Sequence, residues 1–91
     1  MERTAVTFRA VKKGDFKDDV TAVFLDMPEG PGMLTCYAHV GQHGTCSIEW
    51  ILQSTRPAKP DEYAALEKEL HAIGYQNLRI ESRFIRRRAA D

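Results

Sequence analysis

Net charge, cysteine and long apolar runs are all scarce in this chain, and each scarcity removes a class of function. Thirteen basic residues meet thirteen acidic ones for a formal net charge of zero, so no whole-molecule field draws the protein toward polyanions. Two cysteines, Cys36 and Cys46, allow at most one bridge, too few for a disulfide-built scaffold, and a reducing compartment would keep both as thiols. No run approaches the roughly 20 apolar residues of a membrane-spanning helix, and MERTAVTF lacks the basic and apolar regions of a secretory leader, so a cytoplasmic location without membrane association is expected. Neither a dinucleotide-type glycine fingerprint nor a Walker-type phosphate loop occurs.

What remains fits one small globular domain. In 91 residues, 43% are hydrophobic and 29% charged, close to globular averages. Residues 1–85 are expected to form a single domain and 86–91 a basic tail, with so small a core that only one sheet face is well covered.

The periodicity predicts an α+β fold. In TAVTFRAVK, Val6, Phe8 and Ala10 alternate with Thr7 and Arg9, the pattern of a half-buried strand. Val20 to Leu25 reads as a more apolar strand, and MPEGPG breaks the chain after it. Met33 to Val40 and Thr45 to Ser54 read as a hairpin across Gly41-Gln42-His43-Gly44, pairing Val40 with Thr45. The period then changes to 3.6, with Tyr63, Leu66, Leu70 and Ile73 on one stripe. Pro60 suits the first helical position and Gly74 the left-handed cap, while Lys59 offers the free amides no acceptor. A last strand runs from Asn77 to Ile85. The expected order is β-β-β-β-α-β, a mainly antiparallel sheet with one helix packed on one face. The last strand is expected beside the first, antiparallel, or else beside the fourth, parallel.

Four patterns suggest chemistry. Cys36, His39, His43 and Cys46 form a C-x2-H-x3-H-x2-C array of zinc-binding residue types. Cys36 and His39 lie an odd number of residues apart on a strand and face opposite ways, which leaves His39, His43 and Cys46 as candidate metal ligands. The competing reading makes Cys36 a core residue, Cys46 and His39 a cross-strand pair and His43 a solvated turn residue; no metal or other cofactor is expected. Cys46 beside His39 also sketches an activated thiol, but no third orienting group accompanies them. Tyr37, His39, Ile48 and Trp50 share one face of the predicted hairpin, either as core or as an aromatic platform. Finally, Arg79 to Asp91 holds five arginines against Glu81 and Asp91, a local net charge of +3. Arg83, Arg86, Arg87 and Arg88 are therefore candidate contacts for phosphates or acidic partners.

The segment CYAHVGQHG followed by STRPAKPDEYAALEKELHAIGY resembles a group of small bacterial proteins, seen also in phages and mobile elements. Their pattern is a His-Val-Gly-Gln-His turn ahead of a TRPA-x-P-x-EY helix start, with threonine where this chain has Lys59. The resemblance spans about residues 33 to 83 and brings no activity with it; it implies that His39, Gly41, Gln42 and His43 act as a unit. The expectation is thus a non-enzymatic binding or interaction domain, an accessory protein that presents His39, Gln42, His43 and the arginines to a protein partner or a second copy of itself. A zinc protein and a nucleic-acid-binding accessory protein are the alternatives.

Overall fold

The computed structural model describes residues 4–38, 42–82 and 84. Strand β1 (Thr4–Val11), β2 (Val20–Pro28), β3 (Met33–Ala38) and β4 (Gln42–Ser47) form an antiparallel series. A short helix α1 (Ile48–Ser54), a three-residue strand β5 (Thr55–Pro57), the long helix α2 (Pro60–Ala72) and β6 (Leu78–Glu81) follow. The sheet order is β4-β3-β2-β1-β5, with β6 also on β1. The fold is α+β with a mostly antiparallel sheet, as the periodicity predicts.

The expected fourth strand, Thr45 to Ser54, is corrected to a strand that starts at Gln42 and a helix that starts at Ile48. Ser47 terminates the strand because its hydroxyl accepts the Trp50 amide proton at 3.0 Å, an N-cap. Ile48, Ile51 and Leu52 then follow helical spacing. The β-branched and aromatic content of SIEWIL favours a strand locally; the cap and burial of Ile51 against the sheet win.

Both sheet faces are therefore covered, where one was expected. On one face Val6, Phe8, Ala10, Ala22 and Phe24 pack under Leu66 and Leu70 of α2. On the other, Val23, Leu34 and Cys46 pack under Ile51 of α1, with Trp50 and Phe84 at the margin. The solvent-side assignment of Thr7 and Arg9 is corrected as well, for they are only 1% and 7% exposed, and the Thr7 hydroxyl donates to the Glu81 carbonyl of β6 at 2.9 Å. Buried charge needs partners, and Arg9 finds them in the end of α1. Its Nε donates to Thr55 Oγ1 at 2.9 Å, and Nη2 donates to the carbonyls of Thr55 at 2.9 Å and Ile51 at 3.3 Å. Burial lowers the Arg9 pKa, while the negative end of the helix dipole holds the cation in place.

Helix α2 begins and ends as its sequence dictates. Pro60 opens it, and the Glu62 carboxylate accepts the Lys59 amide proton at 2.8 Å, so the N3 residue covers the N-cap residue's own amide, while the Glu62 amide, for which Lys59 has no side-chain acceptor, donates to the Lys59 carbonyl at 2.8 Å. Gly74 takes a φ of 124°, and the Tyr75 amide returns to the Leu70 carbonyl at 3.0 Å. The chain then reaches the start of β1, where the Thr4 amide donates to the Asn77 carbonyl at 2.8 Å. That delivery point decides the direction of the last strand. β6 lies beside β1 as expected, but parallel to it, Thr4 opposite Leu78 and Thr7 opposite Glu81. β5 already occupies the other half of that edge, antiparallel to Arg9–Val11.

Candidate functional site

The hairpin that carries the candidate ligands has a different register from the expected one. Tyr37 lies opposite His43, Cys36 opposite Gly44 and Leu34 opposite Cys46. Relative to a pairing of Val40 with Thr45, the slip is an odd number of residues, and an odd slip exchanges the two faces. Cys36 and Cys46 consequently share a face. Gly44 presents no side chain across from Cys36, the Cα atoms of the two cysteines stand 6.1 Å apart, and they form a disulfide. The expectation of two thiols is corrected accordingly.

This geometry dissolves the predicted clusters. Cys46 is joined to Cys36, which leaves no thiolate for zinc or for nucleophilic attack. His43 is three residues from Cys46 on the same strand, so the two point to opposite faces. Among the described residues no group of three or more His, Cys, Asp and Glu side chains comes together for a metal. The aromatic platform separates as well: Tyr37 is buried under α2, only 3% exposed, while Ile48 and Trp50 ride on α1 across the sheet. Gln42 begins β4 opposite Ala38. His39 and Gly41 of the turn, together with Arg83, Arg86, Arg87 and Arg88 and the whole of segment 86–91, lie outside the described residues.

His43 belongs instead to an aromatic and polar group at the end of α2. Its Nε2 is 2.8 Å from Tyr75 Oη, and its ring meets Tyr37 edge-on at 5.0 Å. Tyr75 stacks on Phe24 at 5.0 Å. The Tyr37 hydroxyl donates to the Glu69 carboxylate, and this bond raises the Tyr37 pKa. A shallow notch of about 430 Å³ opens beside Tyr37, His43 and Tyr75. These polar groups satisfy one another across β3, β4 and α2, so the group works first as a clasp between the sheet and the helix.

A larger hollow lies on the opposite face, in the angle between α1 and the β1–β2 loop. Its volume is about 670 Å³, within the roughly 300–1,000 Å³ of small-molecule sites. Val11, Val20, Ala38 and Trp50 line it from the sheet and α1, and Lys12, Lys13, Asp15, Phe16 and Asp19 line it from the loop. Phe16 is 70% exposed at its rim, and its position there depends on how the loop is held.

The loop supplies that support. The Lys17 amide donates to the Gly14 carbonyl at 3.2 Å and the Asp19 amide to the Phe16 carbonyl at 3.0 Å, while Gly14 and Asp18 take positive φ of 97° and 72°. Asp18 is further tied to Arg56 at 3.1 Å, and Arg56 grips Glu62 of α2 through two bonds of 2.8 and 2.7 Å. The Arg56 bonds, and then the Lys59 amide, depress the Glu62 carboxyl to about 2. On the other rim the Lys12 Nζ donates to the Gln53 carbonyl at 3.3 Å near the end of α1. Phe16 is thus presented by a hydrogen-bonded turn anchored at both ends.

Sequence periodicity does not show this hollow, because its walls come from segments about 40 residues apart and the residues of α1 carry a strand-like pattern. The available signals were Ser47 as an N-cap and a lone Phe16 within KKGDFKDD, a turn that has no need of an aromatic ring.

No match to this chain emerges among protein-family models, curated proteins or solved structures. Its function is therefore read from geometry.

Proposed function

We propose that this chain is a small non-enzymatic binding domain, and that its binding site is the hollow between α1 and the β1–β2 loop. The observation that carries the reading is a phenyl ring held 70% exposed beside a hollow of about 670 Å³ with apolar walls. A recognition role in place of a catalytic one is supported by how the reactive side chains are spent. Among the described residues Tyr37 is bound to Glu69, His43 to Tyr75 and Arg9 to the end of α1.

No helix among the described residues is long and apolar enough to cross a membrane. In the cytoplasm expected from sequence, the Cys36–Cys46 pair would be held reduced, and the hollow does not depend on it, since neither cysteine lines it.

Titration of the folded domain with anilinonaphthalene sulfonate tests the site. The expected result is saturable, one-to-one dye binding with energy transfer from Trp50, the only tryptophan in the chain. Dye emission that rises only as the domain unfolds refutes the assignment.

A further inference from the structure

The ligand class follows from the composition of the hollow's rim and walls, granted that the hollow is the binding site. Trp50 and Phe16 reach the same cavity from different elements, one half-buried on a helix and one exposed on an anchored loop. Aromatic faces contributed from two sides select flat rings, which stack or pack edge-on at little conformational cost. Val11 and Ala38 extend the apolar surface beneath them.

Charge at the mouth selects neither sign. Lys12 and Lys13 face Asp15 and Asp19 around the same cavity, so an anion and a cation each meet one attractive and one repulsive pair. A phosphate therefore gains nothing net, and neither does an ammonium group. The same four side chains, with Thr21, Gln53 and Ser54, do offer donors and acceptors to a neutral molecule that carries hydrogen-bonding groups on its edge.

We propose that the hollow binds an uncharged, flat aromatic heterocycle with hydrogen-bonding substituents, of nucleoside size and free in solution. The ring lies against Trp50 with Phe16 closing over it, and the polar substituents meet the loop at the mouth. A nucleobase reaches such a site either as a free nucleoside or as part of a single strand, and the free molecule is favoured here. The strand's phosphates would meet a rim of no net charge and would gain none of the attraction on which strand binding rests.

Fluorescence titration of Trp50 tests this directly, because a ring stacked on the sole tryptophan changes its emission. Adenosine is expected to give a saturable change and to displace anilinonaphthalene sulfonate. Adenosine monophosphate should bind within about threefold of adenosine, the consequence of a rim whose charges cancel. Phe16→Ala should weaken adenosine at least about fivefold, the low end of the cost of losing one base–aromatic contact. Since Phe16 is 70% exposed, that variant should keep the parent's melting temperature.

Dye binding without any response to adenosine up to about 1 mM overturns the ligand class and leaves the site standing. Absence of both responses removes the site as well. A hexameric oligoadenylate that binds more than about tenfold tighter than adenosine, with an affinity that falls steeply as salt rises, overturns the free-molecule assignment in favour of a strand. Equal affinity of Phe16→Ala and the parent for adenosine overturns the role given to the loop.

Discussion

Reduction of the Cys36–Cys46 bond should destabilise this domain by about 3 kcal/mol while leaving its fold intact. The bond joins residues 10 apart in sequence, a short loop whose closure restricts the unfolded chain by about 9 cal/mol/K on the usual chain-entropy relation, or somewhat under 3 kcal/mol at 25 °C. In the folded state little else changes. Cys46 is 7% exposed and packs with Val23, Leu34 and Ile51, and a thiol fills that space as a small apolar group.

For a domain of this length 1 kcal/mol corresponds to about 4–8 °C in Tm, so the reduced protein should melt roughly 10–20 °C below the oxidised one. Paired thermal melts by circular dichroism, with and without a phosphine reductant, measure the shift, and intact mass before each melt confirms the redox state. The loss should be greatest in β4, the outer strand at that end of the sheet, whose described main-chain partner is β3. Hydrogen exchange should accordingly accelerate more at Thr45 and Cys46 than in β1. Identical melts for protein verified as oxidised and as reduced refute the entropic reasoning, and two free thiols in air-oxidised protein refute the Cys36–Cys46 bond.

Arg9→Met should cost roughly 2–4 kcal/mol in urea denaturation, because it keeps much of the apolar stem but withdraws charged donors from Thr55 Oγ1 and the Thr55 and Ile51 carbonyls; an unchanged midpoint at the same slope refutes the role given to this buried cation. Acid stability should depend on Glu62. Its folded pKa of about 2 lies below the ordinary carboxyl value, so its contribution is present above about pH 4.5 and fades as pH falls toward about 2. Glu62→Gln keeps a carbonyl for the Lys59 amide while losing the Arg56 pair, and it should flatten the acid limb of the stability profile; an identical limb in the parent and the variant sinks the assignment.

Where one chemical preference acts alone, the sequence is legible. Alternation in TAVTFRAV marks β1, and the pairing of Pro60 with Gly74 brackets α2 almost to the residue. Thr7 and Arg9 follow the same alternation, but whether they are wet depends on β6 and α1, elements from elsewhere in the chain. SIEWIL joins strand-forming side chains to a Ser47 cap, and only the burial of Ile51 and the caps at its ends decide between the two. The hollow was out of reach for a related reason: Phe16 and Trp50 acquire a shared meaning only once α1 has folded beside the loop.

The hairpin shows how a single uncertain quantity propagates. Gly41 and Gly44 bracket two residues and suggest a tight link there, yet the strands pair as far out as Ala38 with Gln42, and Gly44 lies inside β4 opposite Cys36. Because side chains alternate with period two, an odd error in register has no small consequences. It moved Cys36 and Cys46 onto one face, where they bond to each other, and turned His43 toward Tyr75. Trp50 left the sheet through the Ser47 cap and came to rest beside the Phe16 loop. Residue types that would bind zinc together therefore take separate structural roles, the cysteines bridging the hairpin and His43 meeting Tyr75, and the proposed binding site lies on the far side of the sheet, where Trp50 and Phe16 stand among balanced charges.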